Sequence, residues 1–430
     1  MRKKIALNIP AFCILVAVIL ALLTSQSLSG RSLQNKPSPA VQVFKVHNLD
    51  TGLNYTTIQE AINANETLDG HTIFVEKGTY YERAVINKSL LLLGENRETT
   101  IIDGNGTEFW KGSDSVIYVT ADNVSISGFT VQNSGGNSYW HLVGGICLAS
   151  DYNRIDGNKI RDNNYGIQIG DPYITGSTNN TVTGNIVQNN NYGVFGMSSY
   201  NATVANNTVT SNSEGIRFMG LSGNDFNIIS GNLVSGNKLG IGLEVVIVIG
   251  GGASAYSVAQ DSSQPPNDSS PSCNTIVGNT VINNEVGILL VSSNNTVRDN
   301  FISSNLLGID LDYLPISCNN SIYHNNFVNN TDQVVTSNVT NVWDDGFPVG
   351  GNFWSDYGMR YPNATEIDAS GIWDTPYIID VNNMDRYPLV ISEFPSFLIL
   401  SLFMVSTLLG VLICRMKSAK TKREWPVQVD

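Results

Sequence analysis

The feature that most constrains this chain is a repeat between about residues 150 and 330. Its frame is N-x-[IV]-x-x-N-x-[IV]-x-x-N-x-x-G-[IV]. Asn153, Asn158 and Asn163 run into Gly166-Ile167, and Asn180, Asn185 and Asn190 into Gly193-Val194. Asn227, Asn232 and Asn237 lead to Gly240-Ile241. Asn274, Asn279 and Asn284 lead to Gly287-Ile288, and Asn295, Asn300 and Asn305 to Gly308-Ile309. In one degenerate copy Ala202 stands where the first asparagine belongs, ahead of Asn207 and Asn212; a partial copy has Asn320, Asn325 and Asn330. Copies start 27, 22, 25, 47, 21 and 25 residues apart.

No helical period gives such spacing. Each copy holds three very short apolar strands between Asn or Gly corners. A single strand of that kind cannot bury its apolar face, but a coil whose turns stack can. Every Ile and Val then points to a shared interior, and successive turns pair in parallel at ~4.8 Å. Asparagine at a corner tolerates left-handed backbone. Stacked side-chain amides can also bond along the column, which satisfies groups otherwise buried unpaired. Asparagine is 51 of the 430 residues, and the 42% apolar content supports a sizeable core.

This punctuation resembles the right-handed parallel β-helix proteins of the pectin-lyase-like group, and among them the NosD-like, CASH-type repeats. The resemblance implies an all-β, right-handed parallel β-helix of about ten turns over 45–340. The right hand also follows from the crossover rule for parallel strands. The flanks fit the same family. Thr57-Ile-Gln-Glu60 is a capping box opening a short helix from Ile58 to about Ala64, with Ile58, Ala61 and Ile62 suited to cover the N-terminal end of the coil. His71 to Glu82, Asn87 to Gly94 and Thr100 to Asn105 resemble the usual next pieces. Gly351 to Tyr357, Asp374 to Asp380 and Asp385-Arg-Tyr-Pro-Leu389 resemble the family's terminal module, placed at 341–391.

The two ends are basic. Arg2, Lys3 and Lys4 precede an uncharged run from Ala11 to Leu23, so 1–29 reads as a signal peptide or a retained N-terminal anchor. Ser396 to Cys414 is uncharged and nearly spans a bilayer, and Arg415, Lys417, Lys420, Lys422 and Arg423 follow at once. A transmembrane helix at 396–414 with a basic cytoplasmic tail at 415–430 is expected. Residues 31–394 then carry 16 positive and 35 negative side chains, a net −19. An acidic exterior body excludes nucleic acid as a partner, because phosphate neutralisation needs Lys and Arg.

Insertions at Ser134–Val143 (with Tyr139, Trp140 and His141), Asp171–Thr178, Gly220–Asp225 and about Val246–Ser272 break the repeat. Three of the four leave just after the Gly-Ile strand and should frame a trough. On that strand alternation turns the residue after Ile or Val outward. The outward column reads Gln168, Phe195, Arg217, Gly242, Leu289, Asp310. Two residues on it reads Gly170, Met197, Met219, Glu244, Val291, Asp312. Trp140, Phe195, Arg217, Glu244, Asp310 and Asp312 are the expected ligand-groove residues, on a solvent face suited to a polysaccharide. An ordinary mixed surface is the bland alternative.

Asp310 and Asp312 are the sole close acidic pair on one strand face, and their ~7 Å spacing is allowed for glycoside cleavage. They stand side by side, however, rather than flanking a bond, so they are weak catalytic candidates. The Gly-His-Gly and Arg-Ile-Lys triplets of catalytic superfamily members are absent from the sequence. No cofactor is expected. Ca²⁺ is the one candidate ion, at Glu366, Asp368 and Asp374, in a stretch resembling a decayed Asp-rich loop. His47, His71, His141 and His324 are scattered, so copper is not carried over from the NosD name. Cys273 and Cys318 fall two turns apart at one corner, too far for a disulfide, and free buried thiols are expected.

Fourteen N-x-[ST] sites lie outside the membrane segment. Asn179, Asn206, Asn294 and Asn319 fall among the corners and are expected to be hidden; Asn267 and Asn363 are the better glycan acceptors. The sequence favours a cell-surface β-helix scaffold that binds carbohydrate or a surface component without catalysis. The alternatives are a polysaccharide-active lyase, hydrolase or epimerase, and a NosD-type accessory protein for metal-cofactor assembly.

Overall fold

The computed structural model describes residues 45–105, 114–135, 144–170, 176–220, 224–245, 272–312, 317–336 and 339–391. Trp140, the 246–271 insertion and the segments 1–29, 396–414 and 415–430 lie outside the described residues. Among the described residues no helix is long and apolar enough to cross a membrane.

Three sheets of twelve, eleven and ten strands run side by side. Each turn of the coil gives one short strand to each sheet in sequence order. The ten-stranded third sheet therefore makes nine turn-to-turn steps. Pairing along the coil is parallel and in register. Ile155 lies over Val182 in the first sheet, Ile160 over Val187 in the second and Ile167 over Val194 in the third. These six side chains are fully buried. Each is worth roughly 1.5–3 kcal/mol against exposure, and no turn could bury them alone. The Phe218 ring fills the gap over Gly196, where a Cβ would stand 2.3 Å from its Cδ1.

Three asparagine ladders bind the turns. Asn185 Oδ1 accepts from Asn158 N at 2.9 Å and from Asn158 Nδ2 at 3.2 Å. Asn185 Nδ2 donates to the Ile155 and Thr183 carbonyls, both at 2.9 Å. The same bonds recur whether the partners are 21 residues apart, as Asn274 and Asn295, or 47, as Asn227 and Asn274. Ala202 supplies no such amide, so the first ladder has a missing rung.

The ladder asparagines are not the left-handed residues. Positive φ belongs to the residue before each of them: Asn179 before Asn180, Gly184 before Asn185, and Asn189 before Asn190. The expectation for the corners was thus one residue out. A ladder side chain must point inward along the stack, and the residue before it makes the bend. For the same reason Asn206, Asn294 and Asn319 are exposed and Asn179 is half-buried, against the expectation that they would be hidden.

Both ends are closed. Helix Ile58–Asn63 starts at the Thr57 capping box and buries Ile58, Ala61 and Ile62. Strand Val46–Asn48 pairs antiparallel with Thr72–Val75, covering that edge of the first sheet. At the other end the Phe327, Trp354 and Tyr377 rings stack with centroids 4.3 and 4.1 Å apart. Arg360 lies 4.3 Å over the Tyr377 ring.

Candidate functional site

The third sheet places the outward column in the expected order. Gln168 pairs with Phe195, Phe195 with Arg217, Arg217 with Gly242, Gly242 with Leu289 and Leu289 with Asp310. Glu244 pairs with Met219 and Val291 in the next column. The expectation of an open solvent face is not met. Gln168 is 3%, Phe195 4%, Met197 6%, Glu244 5% and Val291 1% exposed. These side chains point away from the coil's interior yet are desolvated, which alternation along a strand cannot foretell.

Two tyrosines that the outward-column reading missed complete an aromatic group. Tyr165 and Tyr192 are register partners on adjacent turns, with rings stacked 4.8 Å apart. Phe195 packs against both, at 5.0 and 5.3 Å. Their signal is Tyr-Gly immediately before the apolar residue, in Tyr165-Gly166-Ile167 and Tyr192-Gly193-Val194. In the following turn Glu214 takes the tyrosine's place.

Beside the aromatic group lies a closed charge network. Arg217 Nη1 donates to Glu214 Oε2 and its Nη2 to Glu244 Oε2, each at 2.6 Å. Gly242 leaves room for it, since a Cβ there would stand 3.2 Å from Glu244 Oε1 and 3.5 Å from Arg217 Cγ. Burial pushes Glu244 above its ordinary range, against the opposing pull of Arg217. Burial alone would lower the Arg217 guanidinium, but Glu244 and Glu214 outweigh it and hold it up. Among the described residues, three buried polar atoms in these columns lack a hydrogen-bond partner: Gln168 Oε1, Arg217 Nε and Glu244 Oε1. Buried polar atoms are normally paired, so this group is chemically unfinished.

Asp310 is half-buried and Asp312 exposed. Asp310 Oδ1 accepts the Asp312 amide at 2.9 Å, which ties the first carboxylate to its own turn. Burial raises Asp310, and that amide opposes the shift. In the terminal region Glu366 Oε1 accepts from Gly371 N at 2.7 Å. The Asp374 carboxylate accepts from Thr365 N, Thr365 Oγ1 and Thr375 Oγ1. Asp368 sits in left-handed backbone at φ 45°. Glu366 and Asp374 thus hold a loop together, and among the described residues no three His, Cys, Asp or Glu side chains gather as a metal would need. Cys147, Cys273 and Cys318 form no disulfide, but only Cys147 is buried; Cys273 is exposed because it is itself a left-handed corner residue.

A family model described as "Periplasmic copper-binding protein (NosD)" matches residues 64–246 and 259–359. A cell surface glycoprotein of Methanothermus fervidus is 35% identical over 107 residues, covering 25% of this chain and 17% of that relative. The chain therefore spans about a sixth of that relative's length. Among solved structures, the A-module of the Azotobacter vinelandii mannuronan C-5 epimerase AlgE6 aligns over 70% of this chain and 76% of its own, at 16% identity and a TM-score of 0.46. Carrot pectin methylesterase aligns over 74% of this chain and 88% of its own, at 14% identity and a TM-score of 0.34.

Copper favours imidazole and sulfur donors. The ring nitrogens of His47 lie 2.6 Å from Asn54 Oδ1 and 3.0 Å from Glu76 Oε1. His71 Nδ1 lies 3.1 Å from Asn48 Nδ2, and His324 Nε2 donates to the Val349 carbonyl at 3.2 Å. These three histidines sit apart, each with a protein partner, and the described residues do not fit a copper centre.

Proposed function

This chain belongs to the NosD family of right-handed parallel β-helix repeat proteins, and from that membership we propose that it is a cell-surface β-helix that binds carbohydrate without cleaving it. The body stands outside the cell, with 396–414 as its membrane anchor and 1–29 as a signal peptide or second anchor. The glycoprotein relative and the net −19 exterior support that placement.

The observation that carries the binding reading is the pairing of the Tyr165–Tyr192–Phe195 stack with the Arg217 network on adjacent turns. Aromatic faces stack on sugar rings, and carboxylates and amides hydrogen-bond hydroxyls. Both Nη groups of Arg217 are taken by Glu214 and Glu244, so the charge of the guanidinium is met within the cluster. The unused hydrogen-bonding capacity lies at Gln168 Oε1, Arg217 Nε and Glu244 Oε1, all of them buried, so a ligand must displace what covers them to reach it.

A second reading is a polysaccharide-active enzyme of the pectin-lyase-like type. Glu244 favours it: a buried carboxylate with a raised protonation range and an unbonded oxygen, beside a guanidinium, is a common arrangement in active sites. A glycan array probed with purified residues 31–394, together with assays for new reducing ends and unsaturated uronates, separates the two. Retention of a glycan without product supports binding; release of either product establishes the enzyme. Retention unchanged in Tyr192→Ala would remove this face from either role.

A further inference from the structure

The three corners of each coil need the same left-handed backbone but are filled differently. Glycine meets that need with least strain. At the corner before the second sheet, five of eight residues are glycine: Gly128, Gly157, Gly184, Gly231 and Gly278. At the corner before the first sheet, one of nine is, Gly70 ahead of the strand Thr72–Val75. Five there are asparagine: Asn123, Asn179, Asn201, Asn294 and Asn319. The others are Tyr152, Phe226 and Cys273, which are costlier still in this backbone. A side chain is kept along this edge where the backbone would be better served without one.

The residues that follow distinguish this edge further. All five of its asparagines have Ser or Thr two residues on, at Ser125, Thr181, Thr203, Thr296 and Ser321. At the other two corners the left-handed asparagines are Asn133, Asn189, Asn206, Asn283 and Asn329. Only Asn206 and Asn329 of these five are followed so. Corner geometry is shared by all three edges and does not account for the difference. Asn123, Asn201, Asn294 and Asn319 are exposed and Asn179 is half-buried. The intervening residue, a ladder asparagine in three of the five, faces inward and is buried.

We propose that this edge is an N-glycosylation strip. The reading rests on the outward placement of the body. Each acceptor Asn Nδ2 would bond to C1 of the first sugar of a lipid-phosphate-linked oligosaccharide. The bond from C1 to the carrier's phosphate oxygen breaks, and the amide proton leaves to the released phosphate. Asn179 and Asn201 lie on adjacent turns, and Asn201 Nδ2 donates to Asn179 Oδ1. Asn294 and Asn319 are likewise on adjacent turns, since Asn294 N donates to the Cys318 carbonyl. One strand spacing of ~4.8 Å is narrower than a sugar ring with its substituents. Each pair therefore takes one glycan, and the strip holds three.

The test expresses the full chain in a host with membrane-bound N-glycosylation, alongside a secreted reporter carrying a known acceptor site. Protease accessibility on intact cells reports the placement of the body, and intact glycopeptide mass spectrometry reports occupancy. The expected result is glycan on Asn123 and on one asparagine of each pair, with pair members mutually exclusive on one molecule. Thr296→Ala with Ser321→Ala, which keeps both corner asparagines, removes one glycan mass. An accessible body whose strip stays bare while the reporter is modified overturns the proposal. So does double occupancy of a pair, or equal occupancy at Asn206 and Asn329. An inaccessible body overturns the surface placement and this proposal with it.

Discussion

Asn352 donates its backbone N–H to Asp385 Oδ2 at 2.7 Å, the bond that in each earlier turn of that ladder goes to an asparagine Oδ1. Asp385 is the final rung. Trp354 Nε1 donates to the same oxygen at 2.8 Å and Tyr387 N to Oδ1 at 3.1 Å. An asparagine there would present two amide hydrogens with no further turn below to receive them, whereas a carboxyl group offers both oxygens as acceptors and carries at most one hydrogen. Gly351 admits the group, because a Cβ would stand 1.9 Å from Asp385 Oδ1.

Burial pushes Asp385 up to about 7 from an ordinary 3.8, against the three donors. A raised acid keeps its proton in the folded state while the unfolded chain has lost it. Stability attached to Asp385 is therefore greatest below about pH 4, falls as pH rises towards 7, and is flat above. The slope is about 1.4 kcal/mol per pH unit within the window. Melting temperatures of wild type and Asp385→Asn between pH 4 and 8 check this. The variant should lose that part of the decline; parallel curves would show that other groups set it.

A middle rung should be costly to remove. Asn232 Oδ1 accepts from Asn207 N at 2.9 Å and Nδ2 at 3.0 Å, and Asn232 Nδ2 donates to the Val204 carbonyl at 2.9 Å. Asn232→Ala takes a partner from all three groups in a dry interior, leaving Asn207 Nδ2 only its bond to the Val182 carbonyl, for a loss of about 2–4 kcal/mol. Ala202→Asn restores the missing rung and should gain about 1 kcal/mol. Chemical denaturation of both variants gives the two signs.

Corner strain can be measured without steric confusion. Gly278 has φ +64° and nothing within 4 Å of where its Cβ would be. Gly278→Ala should destabilise by about 1 kcal/mol through backbone alone. Phe226 has φ 59° and is 60% exposed, so Phe226→Gly should be neutral or stabilising. A loss of more than ~1 kcal/mol there would mean the exposed ring packs on something.

The aromatic group makes a separable prediction. Tyr192→Ala removes a ring stacked on Tyr165 and tilted against Phe195. Glycan retention should fall tenfold or more, about 1.4 kcal/mol, while the circular dichroism spectrum stays that of a β-rich coil. Equal retention in the two proteins would move the ligand elsewhere.

Much of this was legible in the residues. The spacing of Asn153, Asn180 and their successors defines the turns, and alternation orders Gln168 through Asp310. The left-handed position was harder, because the recurring asparagine draws attention from the varied residue before it. The burial of Phe195 and Glu244 depends on what surrounds the sheet's outer face, which strand period does not encode. Tyr165 and Tyr192 precede the Gly-Ile signal and lie outside the alternation that orders the column. Asp385 was visible as part of a terminal motif, but its role depends on Asn352, 33 residues earlier.

The Asn227–Asn274 and Asn274–Asn295 contacts are alike although their chain intervals differ more than twofold. Neighbouring coils therefore sense only whether the next amide arrives, not how much polypeptide was used to bring it. Whole coils can be duplicated or lost by recombination within the gene without redrawing the seam between those that remain. Reach becomes a heritable length, adjustable in steps of ~4.8 Å, while the two closures stay unchanged.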